Sequence, residues 1–129
     1  MKTAWVSGAA GFIGSHMVDF LLQKNWRVIG SVLPKKNLRN LQHLVENPID
    51  NFILIELDMQ DKKGIETLIE KYKPDAIFHY AAQSTVKPSW EDPAYTIRVN
   101  MIGEIYIFET IKRLDLNTKV IIACSNAGY

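Results

Sequence analysis

The chain has 129 residues, 47% of them hydrophobic and 22% charged, a composition typical of one globular domain with a buried core. Its fifteen basic and fourteen acidic residues leave a net charge of +1, which excludes the strong positive field by which proteins attract nucleic acid or anionic membranes. We therefore expect neither nucleic acid nor a membrane as a partner, and no apolar stretch approaches the ~20 residues of a membrane-spanning helix.

Two further features predict a cytoplasmic protein. Lys2 and Thr3 run directly into the first predicted strand, so we expect no cleavable signal peptide. The single cysteine, Cys124, excludes an internal disulfide and is typical of a reducing compartment. No spacing of His, Cys or Asp indicates a metal site, and none is predicted.

Apolar runs and helix-periodic runs alternate along the chain, which is the pattern of a parallel sheet covered by helices. The predicted strands lie near residues 2–7, 27–32, 52–56, 76–80 and 119–123. The predicted helices lie near residues 12–24, 62–72 and 93–114, with a shorter helical segment at 38–46. Right-handed crossovers then predict a doubly wound α/β fold with strand order 3-2-1-4-5, ending after the fifth strand. The last two strands are continuous apolar runs, so we expect both to be covered on both faces.

The turn after the first strand is rich in glycine. Gly8-Ala9-Ala10-Gly11-Phe12-Ile13-Gly14 leads directly into the first helix, and a strand, a glycine-rich turn and a helix in this order are typical of a dinucleotide-phosphate site. Gly8 would allow the sharp turn, Gly11 the approach of backbone to a pyrophosphate, and Gly14 the close packing of the helix. The free N–H groups at the start of the helix would then face the phosphates.

The helix at 93–114 is apolar around much of its surface. One face comprises Ile97, Met101, Ile105, Phe108 and Ile111, and further apolar positions extend it. Such a helix is buried on more than one side. One side is the sheet, and the other is either a neighbouring helix or a partner subunit, which would make the protein a homodimer through this helix.

Four segments, taken together, resemble one family, the extended short-chain dehydrogenase/reductases that remodel nucleotide sugars (the NAD-dependent epimerases and dehydratases). The segments are Gly8 to His16, Leu57-Asp58-Met59, the stretch from His79 to Gly103 with Ser89-Trp90-Glu91-Asp92-Pro93 and Val99-Asn100-Met101, and Ala123 to Tyr129. The resemblance covers essentially the whole chain. It implies a Rossmann-type dinucleotide-binding domain over residues 1–129.

The resemblance also implies roles for individual residues. The residues implied to bind the cofactor are Gly8, Ala10, Gly11, Phe12, Ile13, Gly14, Asp58, Met59, Ala81, Ala82, Gln83 and Asn100. Among them, Asp58 is implied to bind the adenine amino group. Ser84 is expected to contact substrate, with contact to the cofactor or capping of a turn as the alternatives, and Ser125 is implied to supply the active-site hydroxyl. The expected substrate is a nucleotide sugar.

Within the family, Ala82-Gln83-Ser84 and Trp90-Glu91-Asp92-Pro93 are most similar to the GDP-mannose 4,6-dehydratase branch, which favours NADP. The residues after the second strand agree, because a 2′-phosphate requires cations where NAD sites carry an acid. Lys35, Lys36 and Arg39 follow that strand, with no acid until Glu46. We therefore expect NADP, with NAD as the alternative, although a short charged loop is also often only solvated.

Two departures from the family pattern leave the reaction open. The acid/base tyrosine of the family's Tyr-x-x-x-Lys motif has no counterpart here, because Tyr129 ends the chain, and without that pair we expect no turnover. The dehydratases of the family share a glutamate two residues before the tyrosine that corresponds to Tyr129. This chain has Ala127 at that position, which favours an epimerase or 4-keto reductase over a dehydratase. The alternative to an enzyme portion is an inactive dinucleotide-binding or partner-binding module. His16 and His79 are predicted to be structural.

Overall fold

The structure is a computed structural model that describes residues 1–80 and 93–122, with the backbone alone for residues 93–100. Within these residues the strands are β1 (Thr3–Ser7), β2 (Arg27–Val32), β3 (Phe52–Glu56), β4 (Ala76–His79) and β5 (Lys119–Ile122). The helices are α1 (Phe12–Gln23), α2 (Gln42–Glu46), which follows a 3₁₀ turn at Arg39–Leu41, α3 (Lys62–Tyr72) and α4 (Pro93–Leu114). The predicted elements are therefore all present, with ends that differ by a residue or so.

The five described strands form one parallel sheet in the order β3-β2-β1-β4-β5, which confirms the predicted order. Trp5, in the middle of β1, pairs with Ile29 of β2 and with Ile77 of β4. The strand order reverses between β1 and β4, so the crevice at their carboxyl ends is the position at which ligands bind in open α/β sheets.

Helices cover the sheet on two faces and enclose two apolar clusters. Val6 and Val28 lie in the cluster beneath α1 and α2, whereas Trp5 and Ile29 lie in the cluster beneath α3 and α4. Neighbouring residues of each strand thus point to opposite faces, and both are buried. This is why the central residues of these strands, Ala4-Trp5-Val6 in β1 and Val28-Ile29 in β2, are apolar on both faces.

The expected two-sided burial is wrong for β5. Val120 packs against the cluster beneath α3 and α4, but Ile121 is 41% exposed and Lys119 is also exposed. The cause is the position of β5 at the edge of the sheet, because α1 packs on β1 and β2 rather than on this side. β4 fits the prediction better, with Ala76, Ile77 and His79 all buried.

The two long sides of α4 differ in burial. Gly103, Ile107 and Thr110 face the protein and are buried, whereas Met101, Ile105 and Phe108 are 54%, 45% and 48% exposed. The apolar stripe on the outer side has no covering element among residues 1–80 and 101–122. At the other end of α4, Arg113 forms ion pairs with Glu66 and Glu70 of α3 at 3.4 and 2.7 Å. None of the helices for which structure is described is long and apolar enough to cross a membrane.

Candidate functional site

The glycine-rich turn lies at the carboxyl end of β1, beside the point where the strand order reverses. Gly8 has a φ of 67°, a left-handed conformation that side chains other than glycine rarely adopt. The amide of Gly11 donates to the carbonyl of Gly8 at 3.1 Å, and the amide of Ala9 donates to the carbonyl of Ser31 at 3.1 Å. These bonds close the turn and attach it to β2.

Gly14 and Gly11 have different surroundings. A Cβ at Gly14 would lie 2.1 Å from the carbonyl oxygen of Gly8, so only glycine allows α1 to pack this closely on the turn. A Cβ at Gly11 would meet the same oxygen at 3.4 Å, an ordinary contact. The backbone angle at position 8 and the packing at position 14 therefore favour glycine, whereas position 11 has room for a side chain.

The first turn of α1 presents backbone amides rather than side-chain caps. Gly11 is its N-cap and contributes no capping side chain, and the first turn contains no acidic residue. The first amides of a helix have no acceptor within it and lie at the positive end of its dipole. Phe12 and Ile13 are exposed beside them. This end of α1 can accept an anion.

A residue that the sequence analysis missed fastens the turn from the other side. The side-chain amide of Asn40, in the 3₁₀ turn before α2, donates to the carbonyl of Ala10 at 2.9 Å. Ala10 itself is buried. The contact joins segments thirty residues apart, and nothing in the local sequence around Asn40 signals it.

A buried polar pair lies beneath the crevice. Ser7 Oγ and His79 Nδ1 are 2.8 Å apart, and Ser7 Oγ also accepts a hydrogen bond from the amide of Tyr80 at 3.0 Å. His79 is 1% exposed, and burial lowers the pKa of its imidazole from 6.5 to about 4. The ring is therefore neutral near pH 7 and fits the predicted structural role.

The two ring nitrogens of His79 differ in their hydrogen bonding. Its Nε2 atom is buried without a hydrogen-bond partner among the residues that the structure describes. The chain supplies a partner to Nδ1 from β1, but β4 ends at His79 and no described neighbour reaches the other nitrogen. His16, by contrast, is exposed on α1, with Nδ1 2.7 Å from the carbonyl of Phe12 and its ring against that side chain.

A groove of about 450 Å³ lies at the carboxyl ends of β2 and β3. It is lined by Val32, Leu33, Lys35, Lys36, Leu38, Leu54, Ile55 and Glu56. Two of the three predicted cations thus share this groove, whereas Arg39 begins the following 3₁₀ turn and is not part of its lining. Lys35 has a φ of 64°, and the amide of Lys36 donates to the carbonyl of Leu33 at 3.2 Å, which forms the turn that carries both lysines.

The groove also contains an acid that the sequence analysis did not count. Glu56 ends β3, ten residues beyond Glu46, and it pairs in register with Val32 at the end of β2. Parallel pairing therefore brings a carboxylate to the place where only the cations Lys35, Lys36 and Arg39 were expected. The local charge is mixed rather than purely positive.

Asp58 and Met59 follow β3 in the loop that leads to α3. Asp58 is exposed, and its Oδ1 atom accepts a hydrogen bond from the amide of Gln60 at 2.9 Å. Met59 is buried among the residues beneath α3 and α4. The loop thus exposes a carboxylate while its neighbouring side chain anchors it in the core.

The remaining predicted site residues belong to two other segments and to the first half of α4. Ala81, Ala82, Gln83, Ser84 and Ser125 lie outside the described residues, and Asn100 lies in the part of α4 for which only backbone is described. Over residues 1–80 and 101–122, no group of three or more His, Cys, Asp or Glu side chains could hold a metal ion.

Comparison with known proteins adds independent information. The family model for GDP-mannose 4,6 dehydratase matches residues 5–129. A GDP-mannose 4,6-dehydratase of Vibrio cholerae is 33% identical over 120 residues, which cover 89% of this chain and 32% of the relative. A UDP-glucose 4-epimerase of Mycolicibacterium smegmatis is 40% identical over 125 residues, which cover 96% of this chain and 39% of the relative.

Solved structures agree with these sequences. The UDP-glucose 4-epimerase of Thermotoga maritima, crystallised with UDP-glucose, is 30% identical, with a TM-score of 0.77 over 93% of this chain and 37% of its own. The UDP-glucose 4-epimerase of Thermus thermophilus, in complex with NAD, is 32% identical, with a TM-score of 0.72 over 88% and 35%. This chain spans a third to two fifths of the length of these relatives. Because the family model matches nearly all of it, the chain belongs to the GDP-mannose 4,6-dehydratase family of NAD-dependent epimerases and dehydratases.

Proposed function

We propose that this chain is the NAD(P)-binding portion of a nucleotide-sugar epimerase or dehydratase that acts by oxidation at the C4 position of the sugar. The observation that carries the proposal is that Gly11, unlike Gly8 and Gly14, is not required by the protein's own backbone or packing. Gly8 and Gly14 are explained by the backbone conformation and by packing, but the space at Gly11 is not used by the protein. Close approach of a pyrophosphate explains it.

The described residues fit a dinucleotide. The amides at the start of α1 would bind the pyrophosphate, and Asn40 would hold the turn that presents them by its bond to Ala10. The exposed carboxylate of Asp58 would accept a hydrogen bond from the adenine amino group, and the Met59 backbone would lie beside the base. The nicotinamide of a bound dinucleotide would supply hydride transfer, for which Ser125 would orient a sugar hydroxyl.

We propose NADP as the preferred cofactor, since Lys35 and Lys36 line the groove into which a 2′-phosphate would project and Arg39 follows nearby. Charge-assisted hydrogen bonds between these cations and a phosphate are among the stronger polar contacts. Glu56 in the same groove opposes the preference and would suit the ribose hydroxyl of NAD. NAD is present in the complex of the Thermus relative.

The type of sugar chemistry is proposed from position 127, which lies outside the described residues. Ala127 cannot act as a carboxylate base, which favours a C4 epimerase or 4-keto reductase over a dehydratase. Relatives of both kinds match the chain at 33% and 40% identity. We further propose a homodimer in which the exposed side of α4 packs against its symmetry mate.

Binding of the cofactor is tested by titrating the protein with NAD and NADP in a calorimeter, together with the variant Gly11→Ala. The variant has room for its methyl group within the protein, so it is expected to fold normally but to bind either dinucleotide at least roughly tenfold more weakly, because the methyl group occupies the phosphate position. Absence of binding by the unmodified protein, or equal binding by Gly11→Ala, would contradict the proposed site.

A further inference from the structure

The loop of residues 57–61, between β3 and α3, is held at both ends by hydrogen bonds. The amide of Leu57 donates to the carbonyl of Val32 at 2.8 Å. Asp61 caps α3 by accepting from the amide of Gly64 at 3.0 Å, and its own amide donates to the carbonyl of Asp58 at 2.9 Å. These bonds fix the two ends of the turn. How deeply the loop packs on the core depends on the side chain between them, which is Met59.

Met59 rests on α4 at Gly103. A Cβ built at Gly103 would lie 3.1 Å from Met59 Cβ and 3.4 Å from both Met59 Cε and the Met59 carbonyl oxygen. Cβ and the carbonyl belong to or adjoin the main chain, so rotation of the Met59 side chain cannot relieve the closest of these contacts. A larger residue at position 103 must displace either the loop or the helix.

α4 is attached to the core on both sides of its contact with α3. Ile107, one turn beyond Gly103 on the same side, is fully buried in the cluster that also contains Met59. Thr110, a further turn along, is buried as well. Further still, Arg113 joins α4 to Glu66 and Glu70 of α3. Displacement would therefore fall mainly on the loop, and Asp58 is the residue bonded directly to Met59.

We propose that Gly103 is a positioning residue for adenine recognition: its lack of a side chain lets the 57–61 loop sit against α4 at the depth at which the Asp58 carboxylate meets the adenine amino group. This inference rests on the proposed function, because it presumes a dinucleotide with its adenine at Asp58. Gly103 touches the ligand at no point and acts through Met59.

The test measures dissociation constants for NAD, for ADP-ribose and for nicotinamide hypoxanthine dinucleotide, in which an oxo group replaces the adenine amino group. The unmodified protein is expected to prefer NAD over the hypoxanthine analogue roughly tenfold or more, since a hydrogen bond to a charged acceptor is lost. In Gly103→Ala the preference is expected to fall to about twofold or less. The affinity of Gly103→Ala for ADP-ribose, which lacks the nicotinamide, is expected to fall as much as its affinity for NAD. Equal losses would locate the effect in the adenine half of the ligand.

Thr110→Ala is the matched control, because it alters the same buried side of α4 two turns from the loop and removes a methyl group and a hydrogen bond to the carbonyl of Tyr106. It is expected to leave the preference unchanged. Circular dichroism checks that each variant is folded, and Gly103→Ala has the advantage that alanine favours helix more than glycine does. If it fails to fold, Met59→Ile crowds the same contact from the loop side, because isoleucine carries a second branch at the Cβ atom that lies against Gly103, and the same loss of preference is expected.

Three results would overturn the inference. A folded Gly103→Ala with the full preference for NAD would show that the contact does not position Asp58, while the proposed function stood. Equal binding of NAD and the hypoxanthine analogue by the unmodified protein would remove the role of Asp58 but leave a dinucleotide site. Binding of none of these three ligands, together with no binding of NADP in the calorimetric titration, would overturn both the inference and the proposed function.

Discussion

Ser7 and His79 join the carboxyl ends of β1 and β4 by a hydrogen bond of 2.8 Å, although they are 72 residues apart in the chain. The pair lies at the point where the strand order reverses. Ser7 also accepts the amide of Tyr80, the last described residue before the segment at 81–92. The buried, neutral imidazole of His79 therefore lies directly beneath the crevice in which we propose that the dinucleotide binds.

The protein is expected to lose stability as the pH falls from about 6.5 to 4. Burial lowers the pKa of His79 to about 4 in the folded protein, against an ordinary value of 6.5, so the unfolded chain binds a proton in this range that the folded protein does not. The free energy of unfolding therefore decreases as the pH decreases, by about 3 kcal/mol in total from this group. Urea denaturation at a series of pH values measures it.

His79→Gln is expected to remove this part of the pH dependence while retaining polar groups near Ser7. His16→Gln is the control, since His16 is exposed on α1, and it should preserve the profile of the unmodified protein. A profile for His79→Gln that matched the unmodified protein would show that another group is responsible.

The glycines at 14 and 11 are expected to differ in their effect on stability. In Gly14→Ala the methyl group would overlap the carbonyl of Gly8, so the free energy of unfolding should fall by about 3 kcal/mol or more. In Gly11→Ala it should change by less than about 1 kcal/mol, because alanine tolerates this backbone conformation and its restriction of the unfolded chain offsets its weaker preference for the N-cap position. Thermal melting of both variants decides, and similar losses in the two would refute the distinction.

Removal of the groove cations is expected to act on NADP more than on NAD. Lys36→Ala should weaken the binding of NADP roughly tenfold, because a charged contact to the 2′-phosphate is lost. The affinity for NAD should remain nearly unchanged. Glu56→Gln should strengthen NADP, because it removes the opposing carboxylate. Fluorescence titration of the reduced cofactors measures both, at low and high salt, since screening weakens exposed charge pairs.

Lys63→Ala serves as the control for net charge, because Lys63 is an exposed cation on α3 away from the groove. It should change neither affinity. Equal losses of NADP and NAD in Lys36→Ala would argue that the lysines do not read the 2′-phosphate.

The exposed side of α4 is expected to mediate self-association. Ile105→Glu places a charge in the middle of the stripe formed by Met101, Ile105 and Phe108, and burying it in an interface would be costly. Light scattering after size exclusion should show a dimer for the unmodified protein and a monomer for the variant. Phe20→Glu, at a similarly exposed apolar residue of α1, should leave the dimer intact. A monomeric unmodified protein would contradict the proposal.

The order of the elements and the strand order could be predicted because their determinants are local. Hydrophobic periodicity marks each strand and helix, and the handedness of crossovers restricts how parallel strands connect. The glycine-rich turn could also be predicted from the sequence. Gly8 is required by its own backbone angle, and Gly14 by a contact with Gly8, six residues away. Membership in the family likewise follows from short motifs in a fixed order. The fold and the kind of site are therefore encoded in local patterns of residues.

The rest depended on which distant residues the sheet and helices bring together. Glu56 reaches the lysine groove only through the register of β3 with β2, and Asn40 reaches Ala10 only because the 3₁₀ turn packs beside the glycine-rich turn. The one-sided exposure of β5 and the contact between Gly103 and Met59 arise from where α1 and α4 lie on the sheet. The charge of the groove and the support of its loops were thus set by packing in three dimensions, because they depend on contacts across the sheet that no local pattern encodes.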